Sequence, residues 1–331
     1  MSVDAMLPVI FMVLLGIAML VYVALDGYDL GVGMLMPFAS EAQKDTLVAS
    51  IGPFWDANET WLVLGVGLLL IAFPRAQGLV LGALYLPVAL MLLGLILRGV
   101  AFDFRVKAHD DHRAAWNAVF AVGSALAAIA QGWMLGRYVT GLQDSWAGDL
   151  FAALIALALP GTYVLLGATW LILKTEGTLQ LRAITWARRV WPAFVVGFGL
   201  ISVATPLASP TVRERWFTLP GFFALAPIPL MSALALAALR GLLNSHRIRG
   251  KLCWAPFTLM LLVLLLGFFG LAYSLFPYIV IDRLTIWQSA SRPATLKIIL
   301  AGAAVAIPAI GAYTALAYRI FRGKATALDY A

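Results

Sequence analysis

Five acidic residues lie in, or at the ends of, three strongly apolar segments in the first third of the chain. They are Asp26, Asp29, Asp56, Glu59 and Asp103. Carboxyl groups can take up and release protons, and carboxylates inside membrane spans are rare and often mark routes for ions or protons. The candidate chemistry is therefore ion or proton transfer.

The spacing of these residues predicts pairs on helix faces. Asp26 and Asp29 are three residues apart, as are Asp56 and Glu59, and residues three apart share one face of an α-helix. The second pair stands in the stretch GPFWDANETWL, where Asn58 lies between the two acidic residues and Trp55 and Trp61 flank them. Two small constellations of side chains are therefore candidates for one site.

Some of these acidic residues also have a purely structural explanation. Asp56 and Glu59 can cap a helix, because acidic side chains suit its N-terminal turn. Asp103 and Arg105 can form a solvated pair at the membrane surface. Arg98 is a second basic residue that can pair with one of the five acidic residues. Capping does not explain the first pair, which lies past the middle of a long apolar segment.

The composition predicts the elements that position these residues. The chain has 331 residues, is 63% hydrophobic and 12% charged, and has a mean hydropathy of +0.93. These values exclude a soluble globular domain and are typical of an all-α, polytopic membrane protein. We expect one integral membrane domain over residues 1–331, with about nine transmembrane helices. The predicted spans are 7–37, 53–74, 79–102, 115–137, 150–173, 190–208, 219–240, 255–277 and 297–319.

The distribution of basic residues predicts the orientation of the bundle. With the N-terminus outside (periplasmic) and the C-terminus cytoplasmic, 16 of the 23 Lys and Arg residues fall on the cytoplasmic side. This bias also explains the net charge of +7 without a nucleic-acid partner. In this orientation all five acidic residues belong to the cytoplasmic half of the membrane.

Several cofactor and ligand sites are not expected in this chain. The glycine-rich stretches DGYDLGVG and VLGVG lie in helices, where small residues favour close helix packing rather than phosphate binding. The single Cys253 excludes an intrachain disulfide and a cysteine-based metal cluster. The three histidines, His109, His112 and His246, fall in predicted loops, so we expect neither haem nor a resident metal here. The loop KAHDDHR can bind a metal, but a solvated loop is the favoured interpretation.

Several motifs resemble subunit II of cytochrome bd-type quinol oxidases. The matching stretches are LDGYDLGVG, GPFWDANETWL, LRGVAFDFR, LLGATWLILKTEG and FPYIV, and with the nine spans they cover essentially the whole chain. The cyanide-insensitive bacterial branch is one candidate within this family. The first three motifs together are specific, whereas any one of them alone is weak.

This resemblance implies a role in a respiratory complex of the bacterial cytoplasmic (inner) membrane. The family enzyme oxidises quinol, reduces dioxygen to water and generates a proton-motive force. Two haems b and haem d sit in the partner, subunit I, whereas subunit II binds no haem and stabilises the complex. Some members hold a structural quinone in subunit II, and one or more small single-span subunits usually accompany the pair.

The resemblance also assigns roles to particular residues. Asp56 and Asp103 match acidic positions of a family proton path that begins at the interface of the two large subunits. Asp26 and Asp29 are expected on the same path. Trp61 matches a position near a proposed dioxygen route. The supporting residues are Trp55, Asn58, Glu59, Trp61 and Arg98, and for Glu59 capping stays the best explanation because the family is variable there.

Two other classes of function compete with this one. An ion-coupled secondary transporter would also use intramembrane carboxylates, but the sequence shows no paired broken spans in matching halves. A structural scaffold would have every acidic group paired or capping. A transporter is expected to be colourless and active alone, whereas an oxidase subunit is expected to purify with a haem-bearing chain.

Overall fold

The computed structural model describes residues 3–107 and 110–325, with only the backbone described at Val106, Asp110 and Asp111. His109, named above in the loop KAHDDHR, lies outside the described residues. Within these ranges the regular secondary structure is helical apart from one short hairpin of strands β1 (Tyr278–Val280) and β2 (Leu284–Thr285), which pair antiparallel. The fold is therefore all-α.

Fourteen α-helices follow one another along the described chain. They are α1 (Val3–Leu35), α2 (Glu41–Ile51), α3 (Trp55–Ala72), α4 (Pro74–Ala83), α5 (Tyr85–Lys107), α6 (Asp110–Val139), α7 (Trp146–Lys174), α8 (Gly177–Ala208), α9 (Pro210–Phe217), α10 (Gly221–Leu225), α11 (Pro227–Leu243), α12 (Ala255–Leu275), α13 (Ile286–Ser289) and α14 (Pro293–Ile320). Two single 3₁₀ turns, Met36–Phe38 and His246–Arg249, complete the helical part.

Nine segments among the described residues are long and apolar enough to cross a membrane, which confirms the predicted number of spans. Helices α1, α3, α5, α6, α7, α8, α12 and α14 supply eight of them, and α10 with α11 supplies the ninth. Two spans begin more than about four residues from their predicted starts, whereas the other bounds lie closer to the prediction. Helix α8 begins at Gly177 rather than near residue 190. The hydropathy pattern does not reveal its first turns because they are polar.

The third predicted span, 79–102, is wrong at its start because two helices meet inside it. Helix α4 ends at Ala83, and α5 begins at Tyr85. Pro87 has no amide hydrogen to donate to the carbonyl of Ala83, and its ring would clash with that carbonyl in a continuous helix. The chain therefore turns at Leu84, and α5 alone runs on to the acidic layer.

Helix α1 lies at the centre of the acidic layer, packed against α3, α6, α7 and α12. Its contact with α7 is very close, because a Cβ atom added to Gly31 would lie 1.8 Å from the carbonyl oxygen of Tyr163. A Cβ on Gly167 of α7 would similarly meet the backbone of Gly31 at 2.6 Å. The interpretation of DGYDLGVG as a helix-packing motif is confirmed, and this crossing fixes the height of the two α1 carboxylates.

Candidate functional site: a buried acidic cluster and an exposed acidic pair

Arg98 lies at the centre of the site and connects three helices. From α5, its Nη1 atom donates to Asp26 Oδ1 of α1 at 2.6 Å, and its Nη2 atom donates to Glu59 Oε1 of α3. Arg98 is 2% exposed and Asp26 is 0% exposed, so this ion pair is withdrawn from solvent. A buried guanidinium needs such counter-ions because charge is costly to bury alone.

The expectation that Glu59 caps its helix is wrong. Helix α3 begins at Trp55, and the residue before it, Phe54, makes no side-chain capping bond. Glu59 is therefore the fifth residue of the helix, beyond the first turn whose amide groups are free. Its carboxylate contacts Arg98 instead. Leaving a buried guanidinium without a counter-ion costs more free energy than leaving the helix without a side-chain cap.

Asp29 belongs to a second set of buried hydrogen bonds centred on Asn58. Asn58 Nδ2 donates to Asp29 Oδ2 at 2.8 Å and to the Tyr28 hydroxyl at 3.0 Å. The Tyr318 hydroxyl donates to Asn58 Oδ1 at 3.0 Å, so the hydrogen of the Tyr28 hydroxyl is directed to Tyr318. Asn58 and the two tyrosines thus form a closed ring of hydrogen bonds, here called the amide–tyrosine ring, and it holds one oxygen of Asp29.

Two carboxylate oxygens of the cluster have no hydrogen-bond partner among the described residues: Asp26 Oδ2 and Asp29 Oδ1. Asp29 and Arg98 line a narrow crevice whose aromatic walls include Trp55 and Phe102. The rings of Trp55 and Phe102 pack with their centroids 5.2 Å apart. The crevice is therefore lined both by the buried Asp29 and by the aromatic residues that immediately precede Asp56 and Asp103 in the chain.

Asp56 and Asp103 lie at the exposed edge of this layer. Both side chains are exposed, and they are close enough for each carboxylate to repel the other. Neither makes an ion pair with another described residue at contact distance. The suggested Asp103–Arg105 pair is wrong, because Arg105 donates instead to Asp45 Oδ1 at 2.7 Å and Asn117 Oδ1 at 2.6 Å.

The two tryptophans of the motif have different environments. Trp61 is buried, and its Nε1 atom donates to Thr314 Oγ1 of α14 at 3.1 Å. Trp55 is half-buried against Phe102 and stands one residue before Asp56. Trp55 is thus beside the crevice, whereas Trp61 helps to join α3 and α14.

Sequence reasoning missed a further buried set of polar side chains beyond Asp26. Gln131 Nε2 donates to the Tyr22 hydroxyl at 2.8 Å, and the Tyr163 hydroxyl donates to Gln131 Oε1 at 2.6 Å. Tyr22 lies one turn before Asp26 on α1 and is within electrostatic range of it. The one signal in the sequence was a glutamine in the middle of the apolar helix α6.

The histidines of the described chain lie at the ends of spans. His112 is in the first turn of α6, His246 begins a 3₁₀ turn, and both side chains are exposed. Axial ligation of a haem within a bundle needs a side chain that points into it. Within residues 3–107 and 110–325 the histidines therefore do not fit a buried haem.

Comparison with known proteins gives the same family as the motifs. A family model for cytochrome bd terminal oxidase subunit II matches residues 7–321. The cytochrome bd-I ubiquinol oxidase subunit 2 of Escherichia coli (strain K12) is 28% identical over 369 residues, covering 97% of this chain and 95% of that protein. The cytochrome bd ubiquinol oxidase subunit 2 of Bacillus subtilis (strain 168) is 28% identical, covering 95% and 96%.

A solved structure shows that the fold is shared as well. A chain of the bd oxidase from Geobacillus thermodenitrificans superposes with a TM-score of 0.77 at 17% identity, covering 96% of this chain and 99% of that one. Since the family model matches nearly the full length, and the described residues contain the expected nine candidate spans, this multi-pass membrane protein belongs to the cytochrome bd terminal oxidase subunit II family.

Proposed function

We propose that this chain, as subunit II of a ubiquinol oxidase complex of the bacterial inner membrane, supplies a proton path to its haem-bearing partner and stabilises it. The observation that carries the proposal is an exposed acidic pair beside a cluster of three carboxyl groups and one guanidinium, in which Asp26, Asp29 and Arg98 are buried and Glu59 is partly exposed. Asp56 and Asp103 take up protons from the cytoplasmic side, and Asp29 and Asp26 hold them further inside. Quinol oxidation and dioxygen reduction take place in subunit I.

The charge balance of the cluster supports a role in proton storage. One guanidinium faces three carboxyl groups, those of Asp26, Asp29 and Glu59, so its single positive charge cannot balance all three as carboxylates at once. Charge that is not balanced is costly inside a membrane protein. Uptake and release of a proton at this site is therefore coupled to the charge of its surroundings, as a proton path requires.

The division of labour between the subunits has a direct test. When the complete complex is purified through a tag on this chain, we expect a larger haem-bearing chain to purify with it. When this chain is expressed alone, we expect a visible spectrum without haem bands. Stoichiometric iron and haem bands in the isolated chain would contradict the proposal. A colourless chain that purifies without a partner and transports a substrate would favour the secondary transporter.

The proton path predicts that Asp56→Asn and Asp103→Asn each slow dioxygen reduction about tenfold at neutral pH, because the amide cannot relay a proton. Both side chains are exposed, so assembly and unfolding temperature are expected to stay close to those of the wild type. The measurement is oxygen consumption with quinol per assembled haem. Asp4→Asn is the matched control, since Asp4 is an exposed carboxylate at the opposite end of α1 that pairs with Lys297. Wild-type turnover in fully assembled Asp56 and Asp103 variants would refute the path.

A further inference from the structure

Two lysines tie the end of α14 to the end of α7 by exchanging contacts. Lys174 Nζ, from the last residue of α7, donates to two carbonyl oxygens just beyond α14, including that of Gly323 at 2.7 Å. Lys324 Nζ donates in return to the carbonyl oxygens of Leu173 at 2.8 Å and Thr175 at 3.1 Å. Each lysine thus satisfies the free carbonyls at the C-terminal end of the other helix, where positive charge is favourable. Lys174 and Lys324 are here called the lysine clamp.

The lysine clamp lies against the aromatic residues that surround the amide–tyrosine ring. Lys174 Nζ stands 4.9 Å from the centroid of the Phe54 ring, an arrangement that attracts the cation to the ring face. The Phe54 ring in turn lies 4.6 Å from the ring of Tyr318. The clamp therefore contacts the surroundings of Tyr318 in two ways: through the backbone that follows α14 and through the Phe54 ring.

Helix α14 has few other attachments near the site. It is among the least buried of the nine candidate spans, and among the described residues its side chains make two hydrogen bonds to α3 and one to α1. These bonds join Thr314 to Trp61, and Tyr318 to Asn58 and Tyr28. The position of the Tyr318 hydroxyl thus depends strongly on how the end of α14 is held.

We propose that Lys174 and Lys324 are positioning residues for the acidic cluster. By clamping α14 onto α7 they hold the Tyr318 hydroxyl against Asn58 Oδ1. This contact orients the amide, so that its nitrogen faces Asp29 and keeps one carboxylate oxygen bonded while the other faces the crevice. The consequence for turnover rests on the proposed proton path.

The test uses the purified complex of this chain with subunit I, carrying Lys324→Met, Tyr318→Phe or both. Lys324→Met is expected to weaken the hydrogen bond from Tyr318 to Asn58 and thereby to lower oxygen-reduction turnover. The expected loss is about fivefold, which corresponds to one ordinary hydrogen bond. Lys324→Arg is expected to restore most of the rate, because arginine also bonds the terminal carbonyls of helices. Lys297→Met is the matched control, since Lys297 lies near the other end of the same helix in a surface pair with Asp4.

The double variant decides between positioning and a general loss of structure. If the clamp acts through Tyr318, Lys324→Met is expected to add no further loss in the Tyr318→Phe background. Multiplying losses, or a wild-type rate for Lys324→Met alone, would overturn the proposal. Asp29→Asn distinguishes a failure of the clamp proposal from a failure of the proton path. Wild-type turnover in the Asp29→Asn variant refutes the proton path itself. In that case the unfolding temperatures of the same variants decide, with non-additive shifts of Lys324→Met and Tyr318→Phe supporting the clamp and additive shifts overturning it.

Discussion

Replacing Arg98 with methionine is expected to destabilise the assembled complex by about 3–5 kcal/mol, the range found when one partner of a buried ion pair is removed. The substitution leaves Asp26 fully buried without its counter-ion and leaves Glu59 without its partner on α5. The expected readouts are a lower yield of complex, a lower unfolding temperature and little remaining turnover. The methionine side chain occupies a similar volume, so the loss reports charge rather than packing.

Two further variants separate the charge of Arg98 from its geometry. Asp26→Asn combined with Arg98→Met removes both members of the deepest pair and is expected to regain part of the lost stability. Arg98→Lys keeps the charge but loses the planar fork that reaches two carboxylates, and an intermediate stability is expected. The comparison arginine is Arg105, whose carboxylate partner Asp45 is exposed, so Arg105→Met is expected to cost less. An Arg98→Met complex that assembles and unfolds like the wild type would contradict this account.

Replacing Gly31 with alanine is expected to separate α1 from α7 and destabilise the complex by about 3 kcal/mol, at the upper end of the usual cost of overpacking. The added methyl group would meet a backbone carbonyl, which cannot rotate away as a side chain can. Because Asp26 and Asp29 precede Gly31 on the same helix, the shift is also expected to lower turnover. Unfolding temperature and oxygen consumption measure the two effects.

The control for this substitution is Gly161→Ala on α7. Apart from its chain neighbours and the nearby backbone of its own helix, an added Cβ at Gly161 meets no atom of the described chain within 4 Å. Alanine also has a better helix propensity than glycine, by about 1 kcal/mol in soluble helices, so a neutral or slightly stabilising effect is expected. Equal losses for the two substitutions would show that the crossing of α1 and α7 is not the cause.

The number of spans and the main acidic residues follow from the sequence because they depend on local properties. A bilayer needs about 20 apolar residues per helix, and a carboxylate in such a stretch stands out wherever its partner lies. Arg98 was a candidate partner for the same reason. The ends of spans are less predictable, since the polar turns that begin α8 outside the apolar core carry no hydropathy signal. The predicted orientation remains a prediction from the positive-inside bias.

The partners of the acidic residues follow less well from the sequence because they are tertiary. Glu59 was assigned to capping by its place near a helix start, although the guanidinium it contacts is 39 residues away in the chain. Tyr318 lies 260 residues from Asn58, and nothing in its own helix distinguishes it from an interfacial tyrosine. Pro87, by contrast, was readable, and it could have shown that the third span begins after Leu84.

The amide–tyrosine ring joins α1 and α3, near the start of the chain, to α14, the last helix of the described residues. A polypeptide inserted into the membrane from its N-terminus places Asp29 and Asn58 together early, yet it supplies Tyr318 only when the ninth span arrives. Until then Asn58 Oδ1 lacks the donor that the finished protein gives it. The acidic cluster is therefore completed only once α14 has been inserted, so that a chain terminated before α14 carries the acidic residues without the contact that orients Asn58.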